Sequence, residues 1–167
     1  KFEVNLMTIK EGDSIPSVNL KIMSEKGVSD ISTDELFSNK KVVLFSVPGA
    51  FTPTCSAQHL PGFIDHADKI KEKNVDTIAC MSVNDAFVMD AWGKDRGAGQ
   101  NVLMVADGNG DFTKALGLEL DAKGFGLGMR SQRFSMIVDN GLVTKLNVEE
   151  GGGFEVSKAE VILDQLS

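Results

Sequence analysis

Cysteine and histidine are scarce: the 167-residue chain contains two of each. So few ligands at these spacings cannot fill a structural zinc site of the usual kind, and two cysteines exclude a disulfide-stapled mini-protein. No C-x-x-C pair is present to cycle a dithiol. No run approaches the roughly 18 apolar residues that a membrane-spanning helix needs. Basic residues are outnumbered, 17 Lys and Arg against 24 Asp and Glu, for a formal net charge of −7. Such a chain gains little from counterion release on DNA or RNA, which argues against nucleic acid as a partner. Internal repeats, low-complexity tracts and Pro/Gly-rich linkers are also missing. Residues 1–6 lack the apolar core and cleavage site of a secretory signal. With Met7 resembling a native start, they are expected to be a leader stub or an expression scar, and residues 7–167 a single domain in an intracellular compartment, cytoplasmic or organellar. At 42% apolar and 25% charged, the remainder has an ordinary globular composition.

What is present alternates between strand-like and helix-like patterns, as in a sheet with helices on both faces. Lys41 to Val47 is a nearly continuous apolar run, the mark of a strand buried on both sides. Pro48 and Gly49 stop it. From Cys55 to Lys71, Leu60, Phe63, Ile64, Ala67 and Ile70 follow helical spacing. Asp76 to Val83 reads as a second strand, and Asn84 or Asp85 as the cap of a helix carrying Phe87, Val88, Ala91 and Trp92, with Phe87 and Trp92 expected in the core. Val102 to Ala106 is a third strand, followed by a short helix ending near Gly117. Arg133 to Val138 and Leu142 to Val148 flank an Asn140-Gly141 hairpin signal. A last helix is expected near Ser157, with Glu160 completing a capping box. Mostly parallel units followed by a hairpin and a closing helix suggest a thioredoxin-like sheet.

The densest chemical signal is Pro48-Gly49-Ala50-Phe51-Thr52-Pro53-Thr54-Cys55-Ser56. It puts Cys55 just after a buried strand, in the first turn of a helix, where unsatisfied amides and the positive end of the helix dipole suit an anionic sulfur. Ionisation alone gains about thirtyfold in nucleophile over an ordinary thiol, small against enzymatic accelerations, so help in the transition state is also needed. Pro48 and Pro53 stiffen and shield the loop; Thr52 can aim its hydroxyl at the sulfur or at a substrate oxygen. The bland alternative, a buried and inert cysteine, weighs about equally on pattern alone. Other motifs fall away. Asp107-Gly108-Asn109-Gly110-Asp111 opens like a calcium loop, but Phe112 and Leu118 occupy positions six and twelve, so it reads as a turn with a helix cap. Gly124-Phe125-Gly126-Leu127-Gly128 is no dinucleotide fingerprint; it reads as a flexible loop near the site that offers Phe125 and Leu127 to a partner. His59, four residues after Cys55, suits a structural or rim role better than a Cys–His hydrolase pair.

Pro48, Thr52 and Cys55 stand in the order P-x-x-x-T-x-x-C, which resembles the defining motif of the peroxiredoxins; the longer string is similar to the type II, peroxiredoxin-5-like branch. Matching stretches continue at His59–Phe63, Ser82–Asp85 with Ala91-Trp92-Gly93, Arg133–Met136 and Leu146–Glu149, so the resemblance covers nearly the whole chain from Met7. It implies a thioredoxin-like fold with a central mixed sheet and no metal or prosthetic cofactor. The implied activity is reduction of hydrogen peroxide, alkyl hydroperoxides and often peroxynitrite. Cys55 is then the nucleophile that becomes a sulfenic acid, Thr52 orients the peroxide, Pro48 shields the site and Arg133 supplies the cation, in preference to Arg130. The backbone amides of Thr54 and Cys55 complete the peroxide cradle. Many relatives resolve the sulfenic acid with a cysteine in the late loop, but residues 150–157 hold none. Cys80 is then either a core residue or a resolving cysteine at the spacing of plant-like members. A one-cysteine cycle is the simpler expectation, served by glutathione or glutaredoxin, with thioredoxin second. A homodimer with Phe51 in its contact is a further implication. The rival of another class is a redox-sensing interaction module that is oxidised at Cys55 with little turnover.

Overall fold

The computed structural model describes residues 8–167, so the expectation about residues 1–6 and Met7 lies outside the described residues. A hairpin of β1 (Asn19–Ser24) and β2 (Gly27–Ser32) comes first, then α1 (Thr33–Phe37) and β3 (Lys41–Val47). A π-helical turn (Cys55–His59) leads into α2 (Leu60–Asp65) and α3 (Ala67–Lys71), followed by β4 (Thr77–Ser82), α4 (Ala86–Arg96), β5 (Leu103–Ala106) and α5 (Asp111–Leu116). The short strands β6 (Glu119–Asp121) and β7 (Met129–Ser131) precede β8 (Phe134–Asp139), β9 (Leu142–Val148) and α6 (Ala159–Leu166). Seven strands form one sheet in the order β2-β1-β5-β4-β3-β8-β9, with β6 and β7 paired separately.

The sheet is mixed rather than mostly parallel. Only β3, β4 and β5 run parallel; the β1–β2, β1–β5, β3–β8 and β8–β9 pairs are antiparallel. Side chains of β3 alternate between two cores, as strand geometry requires. Val43, Phe45 and Val47 join Leu60, Phe63, Ile70, Trp92 and Ile162 on one face, while Val42 and Leu44 join Phe37, Phe112, Leu116 and Phe134 on the other. The Asn140-Gly141 turn joins β8 to β9 with φ of 50° and 80°, the left-handed pair that matches strand twist.

Three local expectations are corrected. The helix expected over Cys55–Lys71 is broken at His66, whose φ/ψ is −99°/7°; its imidazole Nδ1 lies 2.9 Å from the Gly62 carbonyl and competes with the helical ladder there. Phe87 is 66% exposed while Trp92 is fully buried. Five residues apart on a helix, they project about 140° from each other, and Ala86, Met89, Trp92 and Gly93 set the inner face. The last helix is capped at Lys158 without a side-chain bond, because the Ser157 hydroxyl is committed to Glu149.

The turn after β5 is held by one carboxylate. Asp107 is buried and accepts from the Phe112 and Thr113 amides at 3.1 and 2.8 Å and from the Thr113 hydroxyl at 2.7 Å. The expected helix cap is thus supplied from outside α5, whose own cap position, Gly110, has no side chain. Asp107→Ala is expected to destabilise the protein by about 1–3 kcal/mol, read as a lowered denaturant midpoint with an unchanged slope.

Candidate active site

The loop that follows β3 leaves the carboxyl end of a central parallel strand. Antiparallel β8 begins beside that end, with Ser46 opposite Phe134, so Arg133 enters the region from the adjacent strand. The loop carries one strained residue: Phe51 has φ of 65°, the left-handed region that bulky residues avoid. Two tethers hold the loop, each braced from behind. The Ala50 amide donates to Asn84 Oδ1 at 3.0 Å, and that oxygen also accepts from Ser82 Oγ at 2.6 Å. Arg130 Nη1 donates to the Pro48 carbonyl at 3.1 Å and its Nε to the Leu127 carbonyl at 3.0 Å. Gly49 permits the approach, since a Cβ there would fall 2.7 Å from Arg130 Nη1.

Cys55 is fully buried. Its sulfur lies 2.8 Å from Thr52 Oγ1 and 3.1 Å from Arg133 Nη2. Thr52 Oγ1 also lies 2.7 Å from the Gly49 carbonyl. A hydroxyl has one proton, so it donates either to that carbonyl or to an ionised sulfur. The first amide of the turn to join the helical ladder is that of Ser56, 2.9 Å from the Thr52 carbonyl. The Thr54 and Cys55 amides precede the ladder and are free to donate. The π-helical winding, closed by the Leu60 amide on the Cys55 carbonyl, turns Cys55, Ser56 and His59 inward together. Trp92 Nε1 donates to Ser56 Oγ at 2.7 Å.

His59 is fully buried, with rings of Phe45, Phe154 and Phe63 at 4.9, 5.1 and 5.6 Å. Its Nε2 lies 3.0 Å from the Ser157 carbonyl, which can only accept, so Nε2 carries the hydrogen. Bare Nδ1 then accepts from Arg133 Nη1 at 2.9 Å. Burial, followed by the nearby guanidinium, lowers the His59 pKa to about 3, so the ring is neutral. Glu149 is buried as well, and burial alone would push its carboxyl up. The Ser157 hydroxyl and the Glu155, Ser157 and Val156 amides outweigh that and hold it below its ordinary value. A cavity of about 360 Å³ opens beside the guanidinium, walled by Pro48, Leu120, Ala122, Phe125 and Leu127, with Gln132 and Glu149 at its polar end.

Thr52 and Arg133 meet at the Cys55 sulfur, and Pro48 lines the cavity beside Arg133. Arg130 is not a solvated surface residue; it ties two loops together. Cys80 is fully buried in mid-strand between Phe45 and Met104, in the same core cluster as Cys55, where burial and then proximity to Cys55 push its thiol pKa well up. His59 is neither a rim residue nor a hydrolase partner; it holds the arginine. The roles of Asn84, Glu149 and Ser157 carry no spacing signal. Among the described residues no group of three or more His, Cys, Asp or Glu side chains converges as a metal site, and no helix is long and apolar enough to cross a membrane.

The neutral buried histidine has a thermodynamic consequence. An unfolded histidine titrates near 6.5, so between that pH and about 3 the unfolded chain binds a proton that the folded chain does not. The stability contribution is complete above about pH 6.5 and is lost as pH falls through the window, by about 1.4 kcal/mol per pH unit. Urea unfolding of wild type and His59→Gln between pH 7 and 4 is expected to show their stability difference shrinking with acidification; a constant difference would refute the assignment.

The chain matches the Redoxin family over residues 10–163. It is 53% identical over 156 residues to Peroxiredoxin-2C of Oryza sativa subsp. japonica, covering 93% of this chain and 96% of the relative. It superimposes with a TM-score of 0.93 on reduced Prx3 from Vibrio vulnificus in complex with H2O2, at 56% identity, covering 96% and 100% of the two chains. It also resembles the Plasmodium falciparum antioxidant protein, a 1-Cys peroxiredoxin, with a TM-score of 0.88 and 36% identity over 95% and 98%. With the mixed sheet, the loop cysteine and its two donors already in view, these matches show that the chain belongs to the peroxiredoxins, in their type II branch, and is a thiol-dependent peroxidase.

Proposed function

We propose that the chain reduces hydrogen peroxide and alkyl hydroperoxides, and by the same chemistry peroxynitrite, through Cys55. The observation that carries this reading is the buried sulfur with two donors aimed at it, Thr52 Oγ1 at 2.8 Å and Arg133 Nη2 at 3.1 Å. The thiolate attacks the nearer peroxide oxygen in line. An S–O bond forms as the O–O bond breaks and the sulfur is oxidised to a sulfenic acid; the departing hydroxide or alkoxide takes up, through solvent, the proton the thiol released on ionising, whereas peroxynitrite releases nitrite, which leaves as the anion. Arg133 faces both the sulfur and the space where negative charge grows, which is where fixed positive charge lowers a barrier most. Thr52 and the free Thr54 and Cys55 amides orient the peroxide, and Pro48 screens the sulfur from bulk water. The peroxide complex of the Vibrio relative supports hydrogen peroxide as substrate; the apolar cavity next to Pro48 and Arg133 favours organic hydroperoxides as well.

The cycle proposed is a one-cysteine cycle, completed by glutathione or glutaredoxin and secondarily by thioredoxin, in an intracellular compartment where such thiols are maintained. Cys80 is fully buried in mid-strand, in the same core cluster as Cys55, and a disulfide joining the first turn of a helix to the interior of a strand is expected to require local unfolding. The 1-Cys relative from Plasmodium supports the same reading. Phe51 and Phe87, 51% and 66% exposed, are proposed as the apolar contact of a homodimer.

Stopped-flow oxidation tests the chemistry, with Trp92, the one tryptophan, as reporter beside the sulfur. Cys55→Ser is expected to abolish the reaction, and Arg133→Ala to slow it by about 10²–10³ with the far-ultraviolet spectrum unchanged; a near-normal rate in the arginine variant removes it from the mechanism. In steady-state peroxide consumption with glutathione and glutaredoxin, Cys80→Ser is expected to turn over like wild type. Loss of turnover with the first oxidation intact would make Cys80 the resolving cysteine, and a single stoichiometric oxidation of wild type would favour a sensor.

A further inference from the structure

Glu149 lines the cavity beside Arg133 but makes no hydrogen bond to the sulfur, yet a hydrogen-bonded path leads from its carboxylate to Cys55. It stands just past β9, and its amide donates to the Arg133 carbonyl at 3.0 Å, continuing the β8–β9 ladder. The chain then leaves through Gly151, Gly152 and Gly153, with Gly151 at φ of 58°, and returns over the site. One carboxylate oxygen closes this excursion. Glu149 Oε2 accepts from the Glu155, Val156 and Ser157 amides at 2.9, 2.9 and 2.8 Å and from the Ser157 hydroxyl at 2.7 Å. The Ser157 carbonyl, held by that clamp, receives His59 Nε2–H at 3.0 Å; His59 Nδ1 receives Arg133 Nη1 at 2.9 Å; Arg133 Nη2 reaches the sulfur at 3.1 Å. Phe154, carried by the same loop, places its ring 5.9 Å from the guanidinium carbon.

We propose that Glu149 is a positioning residue for peroxide reduction, fixing the Ser157 carbonyl so that His59 is locked as the Nε2–H tautomer and its Nδ1 lone pair holds Arg133 aimed at Cys55. The inference rests on the reading of Cys55 and Arg133 as nucleophile and cation. Its physical content is directional. Without an acceptor at Nε2, the imidazole is free to carry its hydrogen on Nδ1. An Nδ1–H would then meet an Nη1–H, donor against donor, and the guanidinium would turn away from the sulfur. A misplacement of about 1 Å in such a group costs up to about a hundredfold in rate. A loop brace with no positioning role would lower stability and leave the rate of the folded protein alone.

The experiment compares wild type, Glu149→Ala and Glu149→Gln, each at a temperature where unfolding curves show it fully folded. Two quantities are read: the second-order rate of Cys55 oxidation by hydrogen peroxide, and the imidazole 15N resonances of His59, which report its tautomer. The alanine variant is expected to react about tenfold to a hundredfold more slowly with the Nε2–H signature lost. The glutamine variant retains an oxygen acceptor and is expected to fall between the two in both readouts. Should the alanine variant fail to fold, the glutamine variant carries the test through the same pair of readouts. Wild-type rates with an unchanged His59 signature in every variant that folds, whatever the change in melting temperature, overturn the proposal. Arg133→Ala, run in parallel, keeps the two levels distinct: a fast Arg133→Ala enzyme refutes the underlying reading, whereas a slow one beside unaffected Glu149 variants refutes only the clamp.

Discussion

The site depends on a half-buried cation that is given no carboxylate. Among the described residues Arg133 forms no ion pair; its two amino groups go to a neutral imidazole and to a sulfur, and its flat face lies near a phenyl ring. A glutamate in place of His59 would orient the guanidinium equally well but would also neutralise it, competing with the sulfur for its positive charge. A neutral ring orients without neutralising. This explains why so much apolar surface, from Phe45, Phe63 and Phe154, is packed around one histidine: the packing desolvates the ring and keeps it uncharged beside a guanidinium. The unspent charge is left facing the sulfur.

The sheet delivers these groups to one place by strand ends rather than by sequence proximity. β3 ends at Val47 and β8 begins at Phe134, antiparallel and adjacent, so the residues just outside each strand, Pro48 and Arg133, become neighbours. The loop between β3 and the π-helical turn is short and carries a left-handed phenylalanine, a strain of order 1–3 kcal/mol that persists only where surroundings over-determine it. Asn84 from the β4 end and Arg130 from β7 supply that constraint, each through a backbone atom of the loop. The strain and its tethers together place the Thr52 hydroxyl under the sulfur.

Much of this was legible before any coordinates. Continuous apolar character marked β3, the Asn140-Gly141 pair marked the β8–β9 hairpin, and a cysteine after a Pro-Gly strand stop marked the site. The β1–β2 hairpin was not legible in the sequence: β1 shows only Leu20 and Ile22 at a spacing of two, both turned to the core side, and β2 is half polar with almost no periodicity. Phe87 misled because hydrophobicity was weighed without phase: residues five apart cannot share a helical face. The part His59 plays toward Arg133 and Ser157 was not legible, since these partners lie 74 and 98 residues away in sequence, and Glu149 and Ser157, 8 residues apart, meet only through the return of the late loop. Arg133 is preferred to Arg130 because it abuts the apolar run Phe134 to Val138 and aligns with the family motif, cues that are silent on the loop tether Arg130 makes.

The same geometry constrains how an oxidised Cys55 is reached. In relatives that carry a late-loop cysteine, that loop must be free to approach the sulfur. Here its Ser157 carbonyl and Phe154 ring are occupied with His59 and Arg133, so freeing the loop would disorganise the cation on which the first step relies. Cys80 faces the opposite difficulty: its side chain lies in the core cluster that also holds Cys55, Phe45 and Phe63, so reaching it means lifting the helical segments packed over that face of β4. On the proposed one-cysteine reading no such conflict arises: an external thiol enters from the side of the apolar cavity bounded by Pro48 and Leu127, and the strand, the clamp and the guanidinium stay as they are.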